Sequence, residues 1–176
     1  LSTLSELSGV PLRLLDDSLP LDLAEVRAFF TERVLGQNAA VETVVDLISL
    51  IKTGLTDPSR PQGVLFFVGP TGVGKTEMAK ALAEFIFGSR ESLVRIDLGE
   101  FRDAHSIRRL VGDPLAPEPA SRSGLLTAPV RERPFSVVLL DEVEKAHQNV
   151  FDLLLPLMDE GRLVDEQGRV TDFRRT

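Results

Sequence analysis

The sequence predicts an α/β fold in which a parallel sheet lies between two layers of helices, an α/β/α arrangement. Three short apolar runs, at residues 64–68, 93–97 and 136–140, are typical of strands buried on both faces. Between the first two runs, apolar residues recur at helical spacing over residues 78–86, and Gly88 follows as a candidate helix end. A helix between two successive strands makes a βαβ unit, which favours a parallel sheet.

The composition is that of a folded chain with an acidic balance. Of 176 residues, 43% are hydrophobic and 27% are charged, which excludes a disordered chain. The net charge of −7 argues against nucleic acid and against an anionic membrane surface as partners. The sequence contains no cysteine, so disulfides and thiolate chemistry are excluded. Because no apolar run is long enough to span a bilayer, we expect a soluble protein.

Residues 21–176 are predicted to form one domain behind an irregular lead-in or connector at residues 1–20, whose serines, leucines and prolines follow no clear period. Two helices open the domain, at residues 21–33 and at about 41–51, where apolar residues recur every three or four positions. Gly54 follows the second helix, at a place where a left-handed helix end favours glycine.

A last helix is predicted at residues 150–160, followed by a hairpin that turns at residues 167–168. Asn149 is a candidate N-cap of this helix. Pro156 predicts a bend in it, since proline removes one backbone hydrogen bond. His147 is expected to be a surface or packing residue, because a single histidine without companions makes a poor metal site.

Residues 69–76 match the phosphate-binding motif G-x-x-x-x-G-K-[ST], after a predicted strand and before a predicted helix. The motif consists of Gly69, Pro70, Thr71, Gly72, Val73, Gly74, Lys75 and Thr76. Its glycines allow backbone N–H groups to converge on a phosphate at the positive end of the helix. We expect Lys75 to neutralise the β- and γ-phosphates and Thr76 to ligate magnesium. The alternative is a glycine-rich turn without chemistry.

Two adjacent carboxylates, Asp141 and Glu142, follow the predicted strand at residues 136–140, as in a Walker B motif. The carboxyl ends of strands are where open α/β sheets bind ligands. Asp141 is expected to hold hydrated magnesium, and Glu142 to orient or deprotonate the attacking water. The alternative is an acidic pair that begins a solvated helix. Together the two motifs predict hydrolysis of a nucleoside triphosphate rather than binding alone.

Four segments occur in order along the chain: GPTGVGKTE, RIDLGEF, SVVLLDEVEKAH and DEGRLVDEQGRVTDF. Their order and spacing resemble the second ATPase domain of the Clp-type AAA+ unfoldases and disaggregases, over residues 9–176. The resemblance implies a P-loop NTPase fold, the large subdomain of an AAA+ module, which binds ATP and Mg²⁺. It implies catalytic roles for Lys75 and Glu142, and metal ligation by Thr76 and Asp141. The residues implied in nucleotide binding are Val34, Leu35, Gly36 and Gln37 at the adenine, with residues 69–76, Glu77 and Asp141.

The family works as hexameric rings that use ATP to pull polypeptides through a central pore. The resemblance therefore implies ATP and ADP, protein substrates and further copies of the chain as partners, in a bacterial-type cytoplasm. It leaves open whether a peptidase docks. A nucleic-acid motor is disfavoured by the charge balance.

The loop at residues 113–124 departs from the family, which carries an aromatic residue there to grip the threaded chain. This sequence has Pro117 and Glu118 in that stretch, and contains neither tyrosine nor tryptophan. Threading by an aromatic grip is therefore unexpected. A nucleotide-dependent scaffold or regulator is the alternative function, and the loop is either a specific grip or a solvated connector.

In the family a sensor strand, an arginine for the neighbouring site and a helical lid follow the segment that corresponds to residues 9–176. The sensor strand lies between those predicted at residues 64–68 and 136–140. We therefore expect an open slot in the sheet of this chain, and weak or no ATPase activity from the chain alone, because an arginine finger is worth ~10³ to 10⁵ in rate.

Overall fold

A computed structural model describes residues 2–8, 10–16, 18–165 and 167–176. They form two compact units: the first comprises residues up to 56 and 63–93, and the second comprises residues 57–62 and 94–176. Residues of the domain predicted at 21–176 occur in both units, and the single domain stays a prediction. None of the described helices has the length and apolar character needed to cross a bilayer.

The described part of the first unit contains five α-helices: α1 (Ser2–Ser8), α2 (Leu12–Leu15), α3 (Leu23–Arg33), α4 (Asn38–Thr53) and α5 (Lys75–Phe87). The predicted helices at residues 21–33, 41–51 and 78–86 are confirmed by α3, α4 and α5. Gly54 ends α4 with a left-handed φ of 66°, as predicted.

The first 20 residues differ from the irregular structure expected of them, because they contain α1 and α2. Val10 and Leu14 are buried there. Short helices are stabilised mainly by such tertiary packing, which a search for periodicity does not detect.

Aromatic packing in the first unit joins α3 to α5. Phe30 is fully buried, and its ring centroid lies 5.5 Å from that of Phe85 on α5. The Phe29 ring meets the same Phe85 ring edge-on, with centroids 5.1 Å apart. Burying an aromatic side chain contributes about 1.5–3 kcal/mol. This contact fixes the position of α5, the helix at whose start the phosphate-binding motif ends.

The strand predicted at residues 64–68 is wrong for the described structure, because these residues form no strand. Val64, Phe66 and Val68 are 57%, 75% and 82% exposed, whereas the alternate residues 65 and 67 are half-buried. A strand is defined by hydrogen bonds to a neighbour, and no described strand pairs with this segment. The apolar run therefore has the pattern of a strand without the partner that would complete it.

The second unit contains a parallel two-stranded sheet of β1 (Leu93–Asp97) and β2 (Val137–Asp141). Of β1, residues 94–97 belong to this unit. Four described α-helices accompany the sheet: α6 (Arg108–Val111), α7 (Pro119–Ser123), α8 (Thr127–Glu132) and α9 (Gln148–Glu160). The predicted α/β class is confirmed. The strands predicted at residues 93–97 and 136–140 are also confirmed, although the second begins and ends one residue later than predicted.

The hairpin predicted after the last helix is confirmed by β3 (Arg162–Val164) and β4 (Val170–Asp172), which pair antiparallel with Leu163 opposite Thr171. Side chains of both the hairpin and α9 enter one core, which includes Leu154, Leu163 and Phe173. Helix α9 continues through Pro156, and the bend predicted there stays a prediction.

The predicted N-cap Asn149 is wrong, because α9 begins one residue earlier, at Gln148. His147 is the cap: its Nδ1 accepts a hydrogen bond from the Asn149 backbone N–H at 3.2 Å. The extended backbone of His147, with φ −63° and ψ 145°, is typical of an N-cap. The imidazole nitrogen of His147 thus accepts the capping hydrogen bond, a role that the sequence predicts for the Asn149 side chain.

Candidate functional site

The phosphate-binding motif forms a tight loop in the first unit. It ends in α5, whose first residue is Lys75 and whose N-cap is Gly74. Gly72 and Gly74 have left-handed φ values of 85° and 99°. Side chains resist these angles, so the loop needs glycine at both positions. The first backbone N–H groups of α5, which lack partners within the helix, therefore lie at the end of this loop.

The Lys75 side chain folds back over the loop. Its Nζ donates to the backbone oxygens of Gly69 at 2.7 Å and of Pro70 at 2.8 Å. Two of the three N–H donors of the ammonium group are thereby used, and the positive charge lies over the loop. A lysine ammonium binds a phosphate as a point charge, and phosphate binding by Lys75 stays a prediction.

One residue of the predicted adenine segment lies against the loop. Val34 is buried, and its Cγ1 would lie 3.0 Å from a Cβ added at Gly74. Leu35 is 81% exposed, Gly36 has a left-handed φ of 74°, and Gln37 is the N-cap residue of α4. Val34 thus lies next to the phosphate loop, whereas the Leu35 side chain is exposed to solvent.

Other predicted residues of the loop differ in exposure. Thr71 is exposed, whereas Val73 and Thr76 are half-buried. Glu77 pairs with Lys80 at 2.6 Å and with Arg90 at 2.9 Å. The hydrogen bond from Lys80, followed by that from Arg90, lowers the pKa of Glu77 against the effect of burial. Glu77 thus belongs to an ion-pair network around α5, and its contact with nucleotide stays a prediction.

The predicted acids lie at the end of β2 in the second unit. Asp141 is the last residue of the strand. Glu142 follows with a left-handed φ of 55°, the only non-glycine residue with positive φ in the described part of the chain. Such a conformation costs of order 1–3 kcal/mol and tends to occur at functional sites. The chain therefore turns sharply where the two carboxylates are presented.

Both acids are paired with cations of the same unit. Arg95 on β1 donates from Nη2 to Asp141 Oδ2 at 2.9 Å across the sheet. Lys145 Nζ donates to Glu142 Oε2 at 2.8 Å, and this hydrogen bond raises the pKa of Lys145. Sequence reasoning missed both cations as members of the site. The contact of Arg95 depends on the register of β1 and β2, which a local sequence pattern does not reveal.

The loop at residues 113–124 is built by specific hydrogen bonds. The Asp113 N–H donates to the Ser121 carbonyl at 2.9 Å. Arg122 donates from Nε to the Ala116 carbonyl at 2.7 Å and from Nη2 to the Pro117 carbonyl at 2.8 Å. Leu115 is 89% exposed. The loop therefore has an internal clamp and presents an aliphatic residue to solvent.

A glycine-rich loop that leads into a helix, and a strand that ends in two acids, define the class of P-loop NTPases. The AAA domain (Cdc48 subfamily) matches residues 60–176, a stretch that contains both motifs, and the chain therefore belongs to this family.

The chain is also similar to curated chaperones. It is 48% identical to chaperone protein ClpB of Dichelobacter nodosus over 172 residues, 98% of this chain and 20% of that protein. It is 47% identical to ClpB of Vibrio cholerae serotype O1 over 173 residues, again 98% and 20%. ClpB of Mycobacterium leprae is 47% identical over 175 residues, 99% and 21%. The chain thus spans about a fifth of the length of these relatives.

Proposed function

We propose that this chain is the ATP-binding and ATP-hydrolysing module of a Clp-type AAA+ chaperone that remodels protein substrates. The observation that carries the proposal is the phosphate loop, in which left-handed Gly72 and Gly74 lead into α5 and Lys75 holds its charge over the turn. The AAA family match supports a nucleotide ligand. The similarity to ClpB chaperones supports the protein-remodelling role.

In this proposal the loop N–H groups and Lys75 bind the β- and γ-phosphates, and residues 34–37 hold the adenine. The Glu142 carboxylate accepts a proton from the water that attacks the γ-phosphorus. A new P–O bond forms, the bond between γ-phosphorus and its bridging oxygen breaks, and ADP leaves. The strained turn at Glu142 supports this assignment, because such backbone is typical of functional positions.

The donors assigned to magnesium suit that ion. Thr76 offers a hydroxyl and Asp141 a carboxylate, and Mg²⁺ prefers oxygen ligands, with one or two carboxylates, substrate phosphates and waters. When bound, the ion neutralises charge that develops on the phosphate oxygens. Asp141 also accepts a hydrogen bond from Arg95, which orients this carboxylate at the end of β2.

We further propose hexameric ring assembly, protein clients and a location in a bacterial cytoplasm for the complete protein. The name of the similar chaperones supports protein clients, whereas the ring and the location follow from the resemblance to Clp-type AAA+ proteins. The net charge of −7 favours proteins over nucleic acid or an anionic membrane as partners. The docking of a peptidase is left open.

A direct test measures nucleotide binding and steady-state hydrolysis by the full-length protein that carries this chain. Lys75→Ala is expected to weaken ATP binding strongly. Lys52→Ala is a matched control on α4 in the same unit, where Lys52 Nζ donates to the Asp16 carbonyl at 2.6 Å, and it should bind as the wild type does. Equal binding by all three proteins would contradict the proposal.

A scaffold or regulator that binds ATP without threading is the second candidate function. The clamped loop favours it, because Pro117, Glu118 and exposed Leu115 stand where a gripping aromatic is expected. Pro117→Tyr in the full-length protein distinguishes the two functions by the rate of unfolding of a model substrate. A gain of unfolding favours the scaffold, whereas unfolding already present in the wild type and unchanged in the variant favours the motor.

A further inference from the structure

The Glu142 carboxylate and backbone are fixed by one short turn. Residues Val143–Lys145 form a 3-10 helix directly after Glu142. The Lys145 backbone N–H donates to the Glu142 carbonyl at 2.9 Å, and Lys145 Nζ donates to Glu142 Oε2 at 2.8 Å. Lys145 therefore binds both the backbone and the carboxylate of Glu142, whose φ of 55° is a strained conformation.

Gly99 leaves the space that the carboxylate occupies. A Cβ added at Gly99 would lie 2.6 Å from Glu142 Oε2 and 3.0 Å from Asp97 Oδ1. The same Cβ would lie 3.6 Å from Lys145 Cδ. Gly99 does not have a positive φ, so a methyl group at residue 99 would not strain the backbone, but it would require the Glu142 carboxylate to shift.

The carboxylate remains accessible while it is held. The Glu142 and Lys145 side chains are 40% and 45% exposed. The neighbouring Asp141 is engaged separately by Arg95. Only Oε2 of Glu142 receives the lysine, so the arrangement restrains one oxygen of a carboxylate that water can reach.

We propose that Lys145 and Gly99 are positioning residues for Glu142. Lys145 restrains Oε2 so that the carboxylate meets the attacking water in one orientation, and Gly99 admits the carboxylate to that place. This inference rests on the proposed function, since it takes Glu142 as the group that acts on water. A displacement of about 1 Å in such a group can cost about 100-fold in rate.

The first test compares Lys145→Met, Lys145→Arg and Lys52→Met in the full-length protein. Lys145→Met should lower kcat for ATP hydrolysis about 10-fold or more, with an unchanged KM and an unchanged Kd for a fluorescent ATP analogue. Lys145→Arg should restore most of kcat, because it keeps a donor cation, and the control Lys52→Met should match the wild type. An unchanged kcat in Lys145→Met, or a rise in its KM and Kd without loss of kcat, would overturn the inference.

The second test separates action through Glu142 from an independent effect. Glu142→Gln alone and Glu142→Gln with Lys145→Met should show the same single-turnover rate, whereas an additional loss in the double variant would contradict positioning. Gly99→Ala should lower kcat with KM unchanged, and wild-type kcat in this variant would contradict the role of Gly99. If Glu142→Gln itself hydrolyses ATP at the wild-type rate, the proposed function fails. The positioning inference alone fails if Glu142→Gln is slow while Lys145→Met and Gly99→Ala both hydrolyse ATP at the wild-type rate.

Discussion

Individual backbone angles decide where the phosphate loop lies. Gly74 combines a left-handed φ of 99° with a close neighbour, Val34. Gly54, at the end of α4, has a left-handed φ of 66° but nothing within 4 Å of an added Cβ. Gly54 and Gly74 therefore differ in their surroundings, although both hold angles that an L side chain resists.

This difference predicts the outcome of two alanine substitutions. Gly74→Ala and Gly54→Ala should each destabilise the protein by about 1–2 kcal/mol because of the backbone angle. Only Gly74→Ala should also weaken ATP binding, since its Cβ displaces Val34 and the loop. Urea unfolding and nucleotide titration of both variants measure the two effects. ATP affinity lost equally in the Gly54 variant would show that general instability, and not loop geometry, is responsible.

Among the secondary-structure elements, the β3–β4 hairpin depends on a buried carboxylate. Asp165 is buried and accepts hydrogen bonds from the Gln167 N–H at 2.9 Å and from the Arg169 N–H at 2.8 Å. The Arg169 side chain pairs with it at 2.6 Å. Burial raises the pKa of Asp165, but the hydrogen bonds from Arg169 and Gln167 outweigh it and hold the pKa below 3.8.

A lowered pKa in the folded state makes the contribution of Asp165 dependent on pH. The ionised form stabilises the fold fully above about pH 4, and this stabilisation is lost as the pH falls through the folded-state pKa. Asp165→Asn should therefore cost about 1–2 kcal/mol at pH 7, and the difference from the wild type should shrink below pH ~4. The control Asp172→Asn removes a half-exposed pair with Arg174 and should cost less than about 0.5 kcal/mol. Urea unfolding at several pH values checks this, and a constant difference for Asp165→Asn would contradict it.

The N-terminus of α9 gives a prediction for His147. His147→Ala should destabilise the protein by about 0.5–2 kcal/mol, because the Asn149 N–H loses its acceptor, and His147→Asn should retain most of the stability. His105→Ala is the matched control, since this side chain is exposed, and it should change stability by less than about 0.5 kcal/mol. Thermal unfolding of the three variants tests the cap. A stable His147→Ala variant would mean that the cap contributes nothing.

For the whole molecule, the sequence predicts features that depend on local pattern and misses those that depend on a distant partner. The helices α3, α4 and α5 and the turn glycines follow from periodicity and from backbone preference. Residues 64–68 have the pattern of a strand, but pairing decides whether a strand forms, and pairing is not a local property. The Arg95–Asp141 pair depends in the same way on the register of β1 and β2.

The candidate site also contains both kinds of feature, those that follow from local sequence and those that depend on a distant partner. The phosphate loop is predictable because glycine, lysine and threonine are each required at a fixed spacing. The cap by His147 and the proximity of the Glu142 carboxylate to an added Cβ at Gly99 depend on which atoms meet in space. Sequence pattern therefore predicts the loop and the two acids as site residues, whereas Arg95 and Gly99 are recognised as neighbours of these acids only in the structure.

The central claim, that this chain hydrolyses ATP through Glu142, is tested most directly by rapid-quench hydrolysis with the full-length protein and its Glu142→Gln variant at saturating ATP. Removing a general base costs about 10²- to 10⁴-fold in rate, so we expect the variant to bind ATP as tightly as the wild type while its rate falls by about that factor. Hydrolysis by the variant at the wild-type rate, with ATP bound equally well, would contradict the account.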